Sequence, residues 1–232
     1  MRGFLFGEFT RGMNERRTRC AKSIAAFRER QGILEPPFGT SFDPAAFRAH
    51  VQALLDEHAQ AFGVPEDGHA LLRQQIARGD SIHSRRTFPG HVTTSAFILD
   101  AEGRRTLLIH HRSLGRWLQP GGHYEPPDDL AGSALREAAE ETGMDGLVLD
   151  PWHRRSGIPI DIDTHRIPAR PDRDEPEHWH HDIRYVVRAG TADSLRPDLR
   201  EVHGAAWREL HALEALAPQA LRNMRRLGLT HP

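Results

Sequence analysis

Residues 121–144 read GGHYEPPDDLAGSALREAAEETGM and form the most informative local pattern in the chain. The two glycines and two prolines predict a loop, and the apolar residues that follow recur at helical spacing. The spacing predicts an amphipathic helix over residues 128–142. Gly143 stands where a helix commonly ends in the left-handed conformation, so we expect the helix to stop there.

The polar face of this helix carries an unfavourable set of charges. Glu137, Glu140 and Glu141 are three or four residues apart or adjacent, so their carboxylates share one surface near the negative end of the helix dipole. Arg136 offsets one of these charges at most. A divalent cation would remove the repulsion, and clustered carboxylates with backbone oxygen suit Mg²⁺ or Mn²⁺. The pattern therefore predicts a site for a hard metal ion.

The same residues resemble the Nudix box, a motif of glycines, acids and one arginine at fixed intervals. The chain matches the motif at both of its fixed glycines, its arginine and its last three glutamates: Gly122, Arg136, Glu137, Glu140, Glu141 and Gly143. It departs from the motif at Asp128, where the family has glutamate, and we expect Asp128 to cap the helix. A solvated acidic helix is the alternative interpretation, but the complete spacing favours the family.

The resemblance implies an α/β fold, namely an α/β/α sandwich with a mixed sheet, and a nucleotide pyrophosphohydrolase activity. The substrate would be a small molecule linked to a nucleoside diphosphate, and Mg²⁺ or Mn²⁺ would be the cofactor. By position, the resemblance implies catalytic roles for Arg136, Glu137, Glu140 and Glu141. Metal ligands would be the three glutamates and the carbonyl of Gly121, while Arg136 would orient a glutamate.

The reaction implied is attack of water on a diphosphate phosphorus, with a carboxylate accepting the proton. The sequence leaves this base open between a box glutamate and four later acids: Glu175, Glu177, Asp182 and Glu201. Two other functions also remain open. One is an inactive nucleotide-binding module, and the other is an enzyme like isopentenyl diphosphate isomerase, for which Cys20 lies far from the predicted sheet.

Length and composition allow one full domain with a smaller appendage in 232 residues. The 31 basic and 32 acidic residues nearly balance, so no general affinity for nucleic acid or membrane follows. The single cysteine cannot form an internal disulfide, which fits a reducing compartment. No apolar stretch reaches membrane-spanning length. We therefore expect a cytoplasmic protein.

The pattern of the chain changes near residue 85. Residues 1–85 predict a helical extension, with one helix over residues 14–31, a second starting at Asp43-Pro44 and a third ending at Gly79. Their apolar faces should pack on the catalytic domain or on a second copy of the chain, as a homodimer. Residues 86–232 would form the Nudix domain.

The second half of the chain alternates apolar and polar residues in several runs. Strands are predicted over residues 91–99, 105–111, 147–149, 158–168, 178–188 and 205–207. A closing helix is expected over residues 210–227, bent or started near Pro218. Arg112 and Arg116 precede the box and are candidates for phosphate contacts.

A second group of candidate residues lies on the predicted strand 178–188. His178, His180 and Asp182 would share one face, with His165 opposite on the neighbouring strand. This group, with His181, could line the substrate pocket, bind zinc, or belong to a solvated hairpin, and we favour the pocket. Protonated histidines there would attract a polyphosphate.

Overall fold

A computed structural model of the protein describes residues 42–65, 67–190, 194–200 and 202–231. The helix predicted over residues 14–31, the thiol of Cys20 and the base candidate Glu201 lie outside the described residues. The isomerase alternative, which needs a catalytic cysteine, is therefore not addressed by the structure.

The described residues form six α-helices, eight β-strands and one short 3₁₀ helix at Pro171–Arg173. The helices are α1 (Pro44–Phe62), α2 (Ala70–Arg78), α3 (Leu130–Thr142), α4 (Pro151–Ser156), α5 (Ala212–Leu216) and α6 (Pro218–Arg226). The strands are β1 (Gly90–Leu99), β2 (Arg105–His111), β3 (Arg116–Leu118), β4 (Gly121–His123), β5 (Val148–Leu149), β6 (Asp161–Ile167), β7 (His178–Arg188) and β8 (Val202–Glu209).

The strands form one mixed sheet in which β1 has a central position. The order is β3-β2-β1-β7-β5, while β4 also pairs with β1, β6 with β7 and β8 with β2. Strands β1 and β7 are parallel along their length, from Gly90 opposite Trp179 to Leu99 opposite Arg188. The other pairs are antiparallel. The long parallel pair joins segments that are far apart in the chain, so it sets the register of the whole sheet.

One face of β1 changes character along the strand. Side chains alternate between the two faces of a strand, so His91, Thr93, Ser95, Phe97 and Leu99 share a face. Thr93 and Ser95 line a cleft, whereas Phe97 and Leu99 are fully buried in the main apolar core. The same strand therefore supports the cleft at one end and the core at the other.

Helices cover both faces of the sheet. On one face α3 packs against β1, and Thr94 Oγ1 lies 2.9 Å from Ser133 Oγ of α3. On the other face α5 and α6 contribute Leu213 and Met224 to the core that contains Phe97. The predicted α/β/α sandwich with a mixed sheet is confirmed. No helix among the described residues combines the length and apolar composition needed to cross a membrane.

Helices α1 and α2 of the predicted extension pack on the sheet domain. Asp43 caps α1 by accepting a hydrogen bond from the Ala45 N–H at 2.8 Å. Phe47 of α1 stacks on Tyr124 with ring centroids 4.6 Å apart, and the Gln75 amide of α2 donates to the Gly90 carbonyl at 2.8 Å. This is one of the two arrangements expected from their apolar faces. The domain boundary at residue 86 stays a prediction.

Most predicted strands are present, but short elements differ from the sequence-based expectation. The stretch interpreted as a loop contains β4, and neither β3 nor α4 was predicted. These elements have three, three and six residues, too few to show a periodic pattern. The strand expected from residue 158 begins at Asp161, and the closing helical segment is split into α5 and α6, with Pro218 starting the second.

Candidate functional site

The candidate functional site is a cleft of about 1150 Å³ at the polar end of β1. Its lining includes the first two glycines and two glutamates of the quoted stretch, residues of β6 and β7, and several arginines. Two groups of side chains dominate it. The name carboxylate side is used for two glycines, one arginine and four acids: Gly121, Gly122, Arg136, Asp128, Glu137, Glu140 and Glu141. The name histidine cluster is used for five histidines, of which all but His91 line the cleft: His91, His123, His165, His178 and His180.

Helix α3 supplies the acids of the carboxylate side. It begins at its N-cap Asp129, whose Oδ1 accepts from the Gly132 N–H at 2.6 Å, and it ends at Gly143, which has a φ of 63°. Glu137 and Glu141 line the cleft, and Glu141 is buried. The Glu140 side chain is 39% exposed at the surface of the helix. The helix therefore holds two of the three carboxylates predicted as metal ligands inside the cleft.

The two glycines of β4 let the carboxylates approach the backbone. The Gly121 N–H donates to Glu141 Oε2 at 2.9 Å. A Cβ atom at Gly122 would lie 2.5 Å from the Glu137 carboxylate carbon. A side chain there would displace Glu137, so this position requires glycine for close approach.

Arg136 connects the acids of the carboxylate side. Its Nη1 donates to Glu137 at 2.8 Å and to Glu140 at 3.3 Å, and its Nε donates to Asp128 at 3.1 Å. The expectation that Asp128 caps the helix is wrong, because Asp129 has that role. Asp128 and Asp129 are adjacent in the chain. The backbone turn directs Asp129 to the helix end, whereas Asp128 reaches the Arg136 guanidinium.

Burial shifts the acid–base balance of the carboxylate side. Removal from water raises the pKa of Glu137 to about 7, and nearby Glu140 adds to the rise, although Arg136 opposes both effects. A divalent cation would relieve this penalty, because it favours the charged carboxylate. The residues present therefore fit the metal that the motif implies.

The histidine cluster occupies one sheet face next to these acids. Register places His180 beside His91 on β1 and opposite His165 on β6, and places His123 of β4 opposite Thr93. His178 precedes His180 by two residues and lies on the same face. Sequence reasoning identified three of the five histidines and missed His91 and His123, because their proximity depends on strand pairing.

Ring contacts bring the cluster together. The centroid of the His91 ring lies 5.2 Å from that of His123, 5.1 Å from that of His178 and 4.8 Å from that of His180. The His178 Nε2 and His180 Nε2 atoms are 3.3 Å apart. His165 lies at the margin, with its ring 5.8 Å from that of His180 and its Nδ1 2.8 Å from Asp163.

Burial keeps the inner histidines neutral near neutral pH. It lowers the pKa of His91 and of His123 to about 4. Burial, with the neighbouring imidazoles, lowers the pKa of His180 further still. The expectation that protonated histidines on this strand attract a polyphosphate is therefore wrong for His180, since removal from water opposes its charge.

His181 does not belong to the cluster. Its side chain lies on the opposite face of β7, where Nε2 is 2.8 Å from Gln75 Oε1 and Nδ1 is 2.9 Å from Thr164 Oγ1. Both ring nitrogens have partners, and the residue joins α2 to the sheet. It is a structural histidine.

Among the other acids, Asp182 lies at the floor of the cleft. It is buried and accepts hydrogen bonds from Ser95 Oγ at 2.7 Å, from Arg184 Nε at 2.8 Å and from Thr93 Oγ1 at 3.3 Å. These bonds occupy its oxygens and suit a positioning role better than proton transfer. Two candidate bases form ion pairs: Glu175 lines the cleft and pairs with Arg85 at 3.0 Å, and Glu177 pairs with Arg166.

Several arginines contribute positive charge to the cleft. Arg112 and Arg116, both proposed from the sequence, line it, and Arg112 Nη1 also donates to the Leu199 carbonyl at 2.9 Å. Arg170 lines it as well and was missed, because it lies in a proline-rich loop without a motif. Within the described part of the chain, Arg116 and Arg170 form no ion pair. They can therefore meet a phosphate without breaking an internal pair.

The family follows from a comparison with known families. The model described as NUDIX domain matches residues 89–227, which is more than half of the chain. The chain belongs to the Nudix family. The match covers the whole sheet and the Nudix box, so the carboxylate side described above is that of a Nudix domain.

Curated relatives of this Nudix chain have different names. One is the m7GpppN-mRNA hydrolase NUDT17 of Danio rerio, 28% identical over 52% of this chain and 42% of its own length. Another is a probable DHNTP pyrophosphohydrolase of Lactococcus lactis, 26% identical over 49% of this chain and 64% of its own length. The chain thus spans less than two thirds of the length of either relative.

Solved structures of similar Nudix proteins were also found. A C. elegans Ap4A hydrolase in a binary complex has a TM-score of 0.44 and 18% identity, over 60% of this chain and 97% of that one. A Nudix-family hydrolase from Clostridium perfringens has a TM-score of 0.42 and 22% identity, over 60% and 97% of the two chains.

Proposed function

We propose that this Nudix protein is a metal-dependent hydrolase that cleaves the diphosphate linkage of a nucleoside diphosphate derivative. One observation carries the proposal: Glu137 and Glu141 lie against Gly121 and Gly122 inside a large cleft that also carries arginines. Acids alone would repel a diphosphate. Acids that hold a cation, beside arginines, form a site that binds one.

The metal ligands we propose are the carboxylates of Glu137, Glu140 and Glu141 and the carbonyl of Gly121, with Mg²⁺ or Mn²⁺ as the cofactor. When bound, such an ion supplies positive charge that stabilises the transition state and makes water more acidic. The raised pKa of buried Glu137 supports this assignment, because a carboxylate in that position is stabilised by a cation.

The residues of the chain position these groups. Arg136 holds Glu137 and Glu140 through charge-assisted hydrogen bonds, and the Gly121 N–H holds Glu141. Fixed carboxylates need no rearrangement as charge develops, which is the main source of catalysis in phosphoryl transfer. Arg136 is thus a positioning residue in this proposal.

Substrate contacts are proposed for the arginines and polar residues of the cleft. Arg116 and Arg170 would bind the diphosphate, with Arg112 beside them. His165, His178, His180 and Asp182, which were candidates from the sequence, line the same cleft. The base that accepts the proton of water would be a box glutamate or Glu175. The two curated relatives have names with different substrates, so the proposal is limited to the diphosphate linkage.

A panel of nucleoside diphosphate derivatives tests the proposal. The full chain is incubated with each compound and Mg²⁺, and phosphate-containing products are separated by chromatography. We expect one class to be cleaved, and we expect Glu137→Gln to lower kcat by at least about 100-fold. Glu57→Gln, on the exposed surface of α1, is the matched control and should leave kcat unchanged.

Two results would contradict the proposal. If no compound is cleaved but one binds, the chain is the nucleotide-binding module considered as the alternative. If Glu137→Gln and Glu57→Gln have equal activity, the carboxylate side does not carry the reaction. A cytoplasmic location and a homodimer stay predictions from the sequence.

A further inference from the structure

The inner imidazoles of the histidine cluster are arranged around a common point. One ring nitrogen of each of His91, His123 and His180 lies within 4.8 Å of the other two. The centroid of the His180 ring also lies 5.3 Å from that of His123 and 5.1 Å from that of His178. Three separate strands, β1, β4 and β7, supply these side chains, so the convergence is a property of the fold.

The hydrogen bonds of two of these rings leave their inner nitrogens available. His91 Nδ1 lies 3.3 Å from the Thr87 carbonyl, and His178 Nδ1 lies 2.7 Å from the Pro176 carbonyl. A carbonyl only accepts, so each Nδ1 carries the proton and each Nε2 keeps its lone pair. The lone pair of His178 faces His180 Nε2 at 3.3 Å, whereas that of His91 has no hydrogen-bond partner among the described residues. A carbonyl behind the ring is the usual way in which a protein orients a metal-binding histidine.

His91 Nε2 is the atom that most needs a partner. His91 is 1% exposed, and its Nε2 is buried without a hydrogen-bond partner among the described residues. A buried polar atom without a partner is unfavourable, and native structures contain few of them. A cation between the rings would accept the lone pair of His91 Nε2.

The spacing of the rings fits a small metal ion. Zinc binds histidine nitrogen at about 2.0–2.1 Å, so the centroids of two imidazoles on a tetrahedral zinc lie about 5.2 Å apart. The rings in contact among His91, His123, His178 and His180 have centroids 4.8 to 5.3 Å apart. Bound nitrogens on such an ion lie about 3.3 Å apart, the distance between His178 Nε2 and His180 Nε2.

The ligand type selects the metal. Imidazole suits zinc, copper, iron and nickel, whereas Mg²⁺ prefers oxygen. Mg²⁺ would therefore bind on the carboxylate side, and an ion of the zinc type would bind to the histidines.

We propose that His91, His123 and His180 bind one divalent transition-metal ion of the zinc type, with His178 as the fourth ligand. His123, His178 and His180 line the same cleft as Glu137 and Glu141, and His91 lies beside them. None of the four histidines is one of the proposed magnesium ligands. By joining β1, β4 and β7 it would fix the strands that form the cleft, and it does not depend on the proposed hydrolysis.

Zinc titration of the full chain tests the proposal. Any polyhistidine tag is removed, since it would bind zinc itself, and the protein is stripped with a chelator and titrated by calorimetry in excess Mg²⁺. We expect one equivalent of zinc to bind. His180→Phe, which keeps a ring but removes the nitrogens, and His123→Asn should each weaken binding by at least about 100-fold. The exposed His211 lies outside the cleft, so His211→Ala should bind as wild type.

Two further measurements locate the ion. Co²⁺ bound to the wild type should give the intense visible absorption of tetrahedral nitrogen coordination, which needs no variant to fold. Glu141→Gln should bind zinc as wild type if the ion is on the histidines. The proposal is overturned if the wild type binds no zinc, if Co²⁺ gives only the weak spectrum of octahedral coordination, if His180→Phe binds as wild type, or if Glu141→Gln loses the zinc.

Discussion

The two sides of the cleft differ in how their residues are distributed along the chain. The carboxylate side lies within residues 121–144, on one short strand and one helix. The histidine cluster comes from β1, β4, β6 and β7, and His91 and His180 meet only because those strands pair. Only the first group can therefore be recognised from the sequence alone. Local spacing encodes the first, and sheet register encodes the second.

The two sides also respond to burial in opposite directions. Burial raises the pKa of Glu137 and lowers the pKa of His180, so both groups are pushed toward their neutral forms. For a carboxylic acid that means a proton is retained, and for an imidazole it means a lone pair is available. A cation must therefore displace a proton from the carboxylate side, whereas on the histidine side it meets a lone pair that is already available.

The largest effect is expected for Gly122→Ala, which adds one methyl group and should disturb the carboxylate side but not the histidine cluster. In Gly122→Ala the new Cβ would meet the mobile end of Glu137, so the carboxylate should move while the backbone stays. We expect kcat to fall by about 100-fold, as displacement of a catalytic group commonly does, with the melting temperature nearly unchanged. Steady-state kinetics and thermal unfolding measure the two quantities.

The control for this substitution is Gly204→Ala in β8, where a Cβ would have nothing within 4 Å. It should leave kcat unchanged. If Gly122→Ala also abolished zinc uptake, the two sides of the cleft would be one site, and the comparison drawn above would fail.

The second prediction separates a structural histidine from those of the cluster. His153 Nδ1 donates to the Ile158 carbonyl at 2.7 Å, and its Nε2 accepts from the Val186 N–H at 2.8 Å, whereas His91 Nε2 has no hydrogen-bond partner among the described residues. Burial lowers the pKa of His153 from 6.5 to about 4. The folded-state value lies below the unfolded one, so its contribution is complete above pH 6.5 and is lost as the pH falls toward 4.

We expect this one residue to lower the free energy of unfolding by roughly 2–3 kcal/mol across that pH range. Urea unfolding at about pH 7.5 and about pH 4.5 measures the loss. His153→Gln cannot titrate and should show a smaller loss between the two pH values, although it is less stable at both. Equal losses in both proteins would show that His153 does not titrate on unfolding.

The third prediction concerns the arginines that would hold a substrate between the two sides. Arg116→Gln and Arg170→Gln should each raise KM by about 10-fold with a smaller change in kcat, because they remove a phosphate contact and leave the carboxylates in place. The effect should weaken at high salt. Arg104→Gln, an exposed residue outside the cleft, is the matched control. An unchanged KM in both variants would remove the arginines from the substrate site.

The smallest effects distinguish two adjacent acids. Asp129→Ala removes the N-cap of α3 and should lower the free energy of unfolding by about 1 kcal/mol, with activity nearly retained. Asp128→Ala removes a partner of Arg136 and should lower kcat severalfold with less loss of stability. Chemical denaturation and kinetics on both variants test this. The reverse pattern would restore Asp128 as the cap.

The sequence predicted those parts of the fold that are long and periodic. The bounds of β2 and β7 were predicted correctly, because β2 is a β-rich run next to a clear turn and β7 alternates polar and apolar residues over its length. Strand β4 has three residues, and no periodicity can be detected over that length. Its pairing with β1 was therefore missed, although it positions Gly121 and Gly122.

The site was predictable only to the extent that it is local. Glu137, Glu141 and Arg136 were identified because the motif contains them. His123 lies in the same quoted stretch and was missed, since its neighbours His91 and His180 belong to strands elsewhere in the sequence. Asp128 and Asp129 were confused because only the backbone turn decides which acid reaches the helix end.

The parallel pairing of β1 with β7 has a consequence for how the protein folds. The hydrogen bond between Thr93 and Asp182 closes a separation of 89 residues, and such contacts form slowly because a long loop must be ordered first. During synthesis the box helix can form long before β7 has left the ribosome. The histidine cluster would then assemble last, and metal uptake by it would report completion of the native sheet.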